Sequence, residues 1–413
     1  MKVFGAKEES SQRHLRSFDN LTAPTAATKY YILYYSIIFP LGCGFMKFTC
    51  EQKALYDAVS IVSRAVSSKT TVPALEGILM RAEKGLLHLS GYDLEIGIST
   101  CIDVKVDEEG EIVLNAKLFN DMLRNMPGGS VTVSADAKNL TEVRCGLTEY
   151  TILGMPAVEY PQLPQVQDSA EVIDIPAESL KSMIDQTLFA VAVVDTRPAL
   201  TGVKFIFEDD LLTMVSLDGF QLAVRKEPVK SGVNVSFIVP GKALSEINKM
   251  INDDIETVSI ALSKKHLMFN VGDYSLITRL LEGEFIDYKK AIPVDSETEA
   301  FVNTRALIDC IERASLIIND RLRSSIKISV EEGAVTASCS TALGRSSDKT
   351  SCKKSGPDIS IRFNNKYLLD ALKAANCDAV RILFKNPLAP IKILPPEGDS
   401  FLFLVLPVMV KGD

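Results

Sequence analysis

Histidine is the commonest acid–base side chain in catalysis, and this chain has three, His14, His88 and His266. None stands near a Ser/Asp or Cys/Asn set in sequence, so only the fold could assemble a triad. Eight cysteines, Cys43, Cys50, Cys101, Cys145, Cys310, Cys339, Cys352 and Cys377, are scattered singly. No two have C-x-x-C spacing, so neither a zinc site nor a dithiol pair is indicated. The phosphate-cradling G-x-x-x-x-G-K-[ST], the dinucleotide G-x-G-x-x-G and the zinc-binding H-E-x-x-H do not occur. What remains is a pair of aspartates in matching places. Asp93 stands in Ser90-Gly91-Tyr92-Asp93-Leu94 and Asp218 in Ser216-Leu217-Asp218-Gly219-Phe220. Repeated carboxylates invite a hydrolase. Asp and Gly between short strands are more simply turn residues. A third matching segment, Thr341-Ala342-Leu343-Gly344, has no carboxylate.

The other concentrated feature is apolar. Phe403-Leu404-Val405-Leu406-Pro407-Val408-Met409-Val410 lies three residues from the end of the sequence. Phe403 to Val405 reads as a buried last strand. Pro407 has no N–H for a ladder, so it ends that strand. Val408, Met409 and Val410 then lie on the surface, as one wall of a site for apolar peptide.

The elements that must position these residues repeat along the chain. Six amphipathic helices are predicted over 51–66, 115–126, 176–190, 241–251, 303–316 and 364–376. Each carries an i, i+3, i+4, i+7 stripe, such as Leu180, Met183, Ile184 and Leu188. Strands with period-2 alternation lie between them, such as Val131-Thr132-Val133-Ser134 and Val258-Ser259-Ile260-Ala261. Pro127-Gly128-Gly129, Asn252-Asp253-Asp254 and Glu332-Gly333 mark turns. Matching helices begin near 51, 176 and 303, a period of roughly 125 residues, with a second helix in each repeat. Repeat ends match too: Met155-Pro156-Ala157-Val158-Glu159-Tyr160-Pro161 against Gly283-Glu284-Phe285-Ile286-Asp287-Tyr288.

The chain has 413 residues, 46% of them hydrophobic and 24% charged, enough for several cores. Single cysteines in a chain of this length fit a reducing compartment. Residues 1–45 differ from the rest. Their apolar run, Tyr30 to Pro40, is too short for a membrane span of about 20 residues. The expectation is that the folded protein starts at Met46, with 1–45 a disordered leader or a mis-assigned start. The net charge of −8 argues at first sight against nucleic acid. Its distribution does not. The six helix spans sum to +2, whereas the rest of residues 46–413 carries −12. A surface lined by the helices could face phosphates while the strands and loops face away.

Taken in order, these repeats resemble the bacterial DNA polymerase III beta subunits, the DNA sliding clamps. The resemblance rests on Met46-Lys47-Phe48-Thr49, Lys69-Thr70-Thr71-Val72-Pro73-Ala74-Leu75, Leu89-Ser90-Gly91-Tyr92-Asp93-Leu94-Glu95 and Thr196-Arg197-Pro198-Ala199-Leu200-Thr201-Gly202-Val203. Leu217-Asp218-Gly219, Phe285 with Asp287-Tyr288, Phe363-Asn364 with Tyr367-Leu368, and Leu406-Pro407 extend it to the end. It implies an α+β chain of three clamp domains, 46–167, 168–296 and 297–413, each with two helices packed on antiparallel sheets. Two subunits would close head to tail into a ring. Such a protein encircles duplex DNA without reading its sequence and tethers the replicative polymerase. It docks the clamp loader, other polymerases and repair proteins. It needs no cofactor or metal, catalyses nothing and works in the cytoplasm, away from membranes.

The resemblance also implies sites. Lys69, Lys117 and Arg197 stand where the family has basic residues facing DNA. Pro198 and Ala199 also belong to the DNA-facing set, at positions where some relatives carry aromatic residues that touch single-stranded template. The peptide groove would be built from Leu200, Leu217, Gly219, Phe220, Gln221 and Leu222, then Ile286, Ala291, Asn364 and Tyr367. Leu404, Val405, Leu406, Pro407, Val408 and Met409 would complete it. Phe220 and Gln221 replace a His-Arg pair seen in some relatives, and Lys411-Gly412-Asp413 extends past the usual end. For ring closure, Leu316 and Ile317 would meet Tyr150 and Ile152 of the other subunit. Two other readings stay open: a peptide-binding adaptor that does not encircle DNA, and a hydrolase using Asp93 or Asp218.

Overall fold

The computed structural model describes residues 45–67, 70–166, 171–194, 196–318 and 325–408. The Tyr30–Pro40 run, Lys69, Met409, Val410 and the last three residues lie outside the described residues.

The six predicted helices all form: α1 (Gln52–Val62), α2 (Ala116–Asn125), α3 (Ala177–Leu188), α4 (Gly241–Met250), α5 (Thr304–Ser315) and α6 (Asn365–Ala375). The stripes supply the buried residues of α1 (Leu55, Ala58, Val59 and Val62) and α6 (Leu368, Ala371, Leu372 and Ala375), whereas in α3 Leu188 is only half-buried and the polar Gln186 and Thr187 are buried. Three helices start on an asparagine whose side chain accepts an otherwise unpaired backbone N–H. Asn115 accepts from Leu118, Asn303 from Ala306 and Asn364 from Lys366. Helix α6 ends on Asn376 in the left-handed region, at φ 47°.

The described residues form two compact units, one up to Leu163 and one from Pro164. In the first unit, Lys105–Glu108, Met46–Glu51, Ser130–Ala135, Leu140–Cys145 and Thr148–Leu153 lie side by side in that order, all antiparallel. A second sheet orders Gly110–Asn115, Gly77–Glu83, Leu86–Tyr92 and Ile96–Asp103. Helices α1 and α2 pack on each other, and Phe48, Leu55, Ile78 and Phe119 are fully buried.

The second unit holds two repeats of this plan. Glu171–Pro176, Thr257–Leu262, His266–Val271 and Tyr274–Arg279 form one antiparallel run. A twelve-stranded sheet then crosses from one repeat to the next. Val235–Pro240, Gly202–Glu208, Leu211–Leu217 and Gln221–Pro228 belong to the earlier repeat. Phe401–Val405, Ile391–Leu394, Ala379–Phe384 and Thr298–Asn303 follow from the later one. Gly344–Ser355, Ala334–Thr341, Ile326–Glu331 and Ile359–Phe363 complete it. Helices α3 and α6 also touch, and the buried Gln186 amide donates to the Ala375 carbonyl at 3.1 Å.

The join between the repeats is the strand expected to end the chain's sheet. Phe401–Val405 pairs on one side with Ile391–Leu394 and on the other with Gln221–Pro228, Leu222 facing Leu404 and Gln221 facing Val405. Phe403 is buried, edge-on to Phe189 at 5.1 Å and stacked on Phe401 at 4.6 Å. The strand stops at Val405, two residues before Pro407. Leu406 still donates its N–H to the Phe220 carbonyl at 2.9 Å.

Two repeats share a further detail. Pro73–Glu76 and Pro198–Thr201 are one-turn 3-10 helices, each followed by a glycine. A Cβ on Gly77 would lie 2.9 Å from the Leu114 carbonyl oxygen, and one on Gly202 2.4 Å from that of Val239. Neither position has room for a side chain.

The seven described cysteines form no disulfide. Burial pushes the Cys50 thiol up to about 12, so it stays protonated and unreactive. Among the described residues, no helix is long and apolar enough to cross a membrane.

Two consequences for stability follow. Phe403→Ala removes a fully buried ring from the join and should destabilise the second unit by about 3–5 kcal/mol, read from chemical denaturation. His88 is buried with Nε2 3.7 Å from Glu83 Oε1. Burial outweighs that carboxylate and holds the imidazole below its usual 6.5. In the window between the lowered folded value and 6.5 the unfolded chain binds the extra proton. Stability should therefore be full above about 6.5 and fall as the pH drops through that window. His88→Gln should flatten this dependence in denaturation curves measured at several pH values.

Candidate functional site

The segment Leu217 to Leu222 forms a tight connection between two strands. Asp218 accepts the backbone N–H groups of Phe220 and Gln221 through one carboxylate oxygen, both at 2.7 Å. Its own N–H goes to the Gln221 carbonyl at 3.3 Å. Asp93 does the same work, accepting from Glu95 at 2.9 Å and Ile96 at 2.7 Å. Each aspartate is occupied in closing its turn. These bonds are what the turn reading of the two aspartates expects.

The turn lifts Phe220 to the surface, where it is 55% exposed. Its ring stacks on Tyr367, with centroids 5.4 Å apart and planes 16° apart. The neighbouring Gln221 points inward and donates from Nε2 to the Tyr367 carbonyl at 3.0 Å. Burial pushes the Tyr367 hydroxyl up, helped by the charges of Asp218 and Asp370. Gly219 has φ +91°, and a Cβ there would meet nothing within 4 Å. The turn thus leaves open space beside an exposed aromatic ring.

Chain from the later repeat borders this space. Leu406 hangs from Phe220, and Val408 donates its N–H to the Arg362 carbonyl at 2.8 Å. Leu406, Ile286 and Val408 are 39%, 38% and 36% exposed. Ala291 is exposed at the end of the 3-10 turn Tyr288–Ala291. Beneath lies a cluster of buried side chains that includes Leu200, Leu217, Leu222, Phe285 and Leu404.

The groove residues expected from sequence therefore divide. Gly219, Phe220, Ile286, Ala291, Leu406 and Val408 present surface, and Tyr367 and Pro407 are half-buried. Leu200, Leu217, Leu222 and Leu404 are buried and form the support beneath the rim, whereas Val405 is buried in the separate core of the later repeat. Gln221 is buried as well and acts as a tie to Tyr367. The Asn364 side chain is engaged as the cap of α6. Sequence reasoning missed the Phe220–Tyr367 stack and the Gln221–Tyr367 bond. Their partners lie 147 and 146 positions apart, and only the cross-repeat strand pairing brings them together.

Of the residues expected to face DNA, Lys117 is exposed in the first turn of α2, and Arg197 and Pro198 are exposed. Ala199 is not. It is buried in the same cluster as Leu200, because the 3-10 turn that exposes Pro198 points the next residue inward. The residues expected at ring closure lie at open places. Thr148–Leu153, with Tyr150 and Ile152 half-buried, is the last strand of its five-stranded sheet. Leu316 caps α5 and is 82% exposed, with Ile317 half-buried beside it. Along Gly344–Ser355, residues 344–351 pair with Ala334–Thr341 and residues 352–355 pair with Thr298–Asn303. Among the described residues, the 344–351 stretch thus has no strand on its second edge. Among the described residues, no group of three His, Cys, Asp or Glu is placed to hold a metal ion.

Comparison with known proteins accounts for this arrangement. Residues 46–164, 174–287 and 289–409 match in turn the N-terminal, central and C-terminal domain families of the DNA polymerase III beta subunit. The beta sliding clamp of Bacillus subtilis (strain 168) is 34% identical over 376 residues, covering 88% of this chain and 99% of that protein. That of Staphylococcus aureus (strain N315) is 33% identical over 88% of this chain and 99% of its own length. The crystal structure of the Bacillus subtilis DNA polymerase sliding clamp superposes with a TM-score of 0.85 at 33% identity, covering 88% of this chain and 99% of that one. A putative DNA polymerase III beta subunit from Eubacterium rectale gives 0.83 at 34% identity, with the same coverage. The α+β architecture is that of three clamp domains with six helices on antiparallel sheets. With all three domains matched in order and a third of the residues shared across nearly the whole of its relatives, the chain belongs to the DNA polymerase III beta subunit family, the beta sliding clamps, which are non-catalytic processivity subunits.

Proposed function

We propose that two copies of this chain close head to tail into a ring of six domains, bounded in each chain at 46–167, 168–296 and 297–413. The ring encircles duplex DNA in the cytoplasm. It tethers the alpha subunit of DNA polymerase III and serves the clamp loader, other polymerases and repair proteins in turn. Two open strand edges support the closure. Residues 344–351 of one copy would extend the sheet that ends at Thr148–Leu153 of the other, with Leu316 and Ile317 against Tyr150 and Ile152. Such pairing hides edges that otherwise invite aggregation. Lys117 and Arg197 would contact phosphates without reading bases. Lys69 belongs to the same proposal by its motif.

The observation that carries the docking role is the exposed apolar rim of Phe220, Ile286, Leu406 and Val408 over a buried apolar support. Exposed aromatic and aliphatic side chains beside a turn with open space are what a short apolar peptide can cover. Met409, by its place in the sequence, would extend the rim with a side chain that adapts to several partners.

The ring is tested by topology. Loaded on nicked circular DNA, the protein should remain bound and should be lost when the circle is cut. Equal retention on circular and linear DNA would refute encirclement. The rim is tested by Phe220→Ala with Leu406→Ala. Binding of a fluorescent peptide taken from the polymerase should weaken about ten-fold or more by polarisation. The oligomeric mass in solution should stay unchanged. A change of mass with peptide affinity intact would mean that these residues serve assembly instead.

A further inference from the structure

A second recess lies in the same unit, beside the apolar support of the groove. It has a volume of about 270 Å³ and is lined by Lys204, Lys264, Lys265, Ser236 and Glu282, with Phe237, Ile238, Leu281 and Phe285 as its apolar wall. Ile238, Leu281 and Phe285 also belong to the cluster with Leu200, Leu217, Leu222 and Leu404. The apolar wall of the recess is thus continuous with the cluster that underlies the groove.

The polar side of the recess is unbalanced. Lys204 is half-buried, its ammonium 5.7 Å from the centroid of the Phe285 ring. Lys264 and Lys265 are exposed at the turn before His266–Val271. Among the described residues, none of the three lysines has an ion-pair partner. The one acid of the lining, Glu282, is taken by Arg279 at 3.3 Å. Three cations around one concave space, in a chain of net charge −8, create a local positive potential that a carboxylate would relieve. The cation–π contact with Phe285 holds the Lys204 ammonium in the lining, so it need not be ordered by the ligand.

We propose that this recess is an acidic-residue subsite of the peptide groove, taking the carboxylate of a Glu or Asp that flanks the apolar anchor of a docked peptide. The inference rests on the groove reading above and adds to it a charge preference. The apolar rim supplies affinity for the anchor, and the lysines select which peptides arrive fastest and bind best. A free phosphate or sulfate shares the oxyanion chemistry but lacks the anchor.

The test uses the full chain and three fluorescent peptides with one apolar anchor: one neutral outside it, one with two glutamates before it and one with two after it. At low salt one acidic peptide should bind about five-fold more tightly than the neutral one, and this advantage should shrink as salt rises. Lys264→Glu with Lys265→Glu should abolish the advantage and leave the neutral peptide's affinity unchanged. Lys204→Gln, which retains most of the stem over Phe285, should reduce it. Inorganic phosphate at millimolar concentration should erode the acidic peptide's advantage only. Equal binding of all three peptides to the wild type would overturn the subsite while leaving the groove in place. So would an equal loss for neutral and acidic peptides in the lysine variants. Failure of even the neutral peptide to bind would refute the groove itself, and the subsite with it.

Discussion

The second unit depends on one strand being buried on both edges. Phe401–Val405 comes from the end of the chain, where fraying is the default. Here it completes its own repeat through Ile391–Leu394 and joins the earlier repeat through Gln221–Pro228. A strand in this place cannot alternate apolar and polar residues. Phe403, Leu404 and Val405 are all buried, so side chains on both faces must be apolar. The apolar run is therefore a consequence of the join. The same strand fixes where the following residues go. Once Val405 is paired with Gln221, Leu406 must emerge beside Phe220, and the chain that follows borders the groove.

The proposed groove is consequently a product of the seam. Its support, Leu200, Leu217, Leu222 and Leu404, brings together a 3-10 turn, two strands of one repeat and the last strand of the other. These residues are filled in by one another, so what a partner meets is the rim. There the stack of Phe220 on Tyr367 presents a firm aromatic edge, and rigid aromatic surface can be covered at low entropic cost. Gln221 contributes by facing the other way. Its amide reaches the Tyr367 carbonyl and fixes the ring that Phe220 leans on.

Much of this was legible in the sequence because it is governed by local periodicity. The six stripes located the six helices, since 3.6-residue spacing over ten or more residues has one physical meaning. Asn115, Asn303 and Asn364 stand where a helix needs a cap. The strand end was less legible. Pro407 cannot join a ladder, yet the strand stops earlier, because the Leu406 N–H is turned to the Phe220 carbonyl of the other repeat. Ala199 shows the same limit. Next to the exposed Pro198 it reads as surface, but the one-turn helix rotates it into the cluster. The lysine recess was invisible for a related reason. Lys204 stands on a strand of one sheet, Lys264 and Lys265 on a turn of another and Glu282 on a loop, and only the approach of the two sheets, with the Leu281 N–H on the Ile238 carbonyl, gathers them.

The turn aspartates show how a repeated fold acquires a site at one copy and not another. Asp93 and Asp218 close identical turns, and the residue after each has positive φ, 75° at Leu94 and 91° at Gly219. For a leucine that conformation costs about 1–2 kcal/mol, and the first unit bears it with a side chain that stands 52% exposed. Glycine bears no such cost and adds no atoms. At Gly219 the backbone is the same, but nothing stands over the space beside Phe220. The leucine side chain of the first unit has no counterpart there. The bare glycine is thus one feature, beside the seam, that distinguishes this turn from its counterpart in the first unit. The carboxylate that seemed to promise chemistry serves both turns alike, by holding that residue in place.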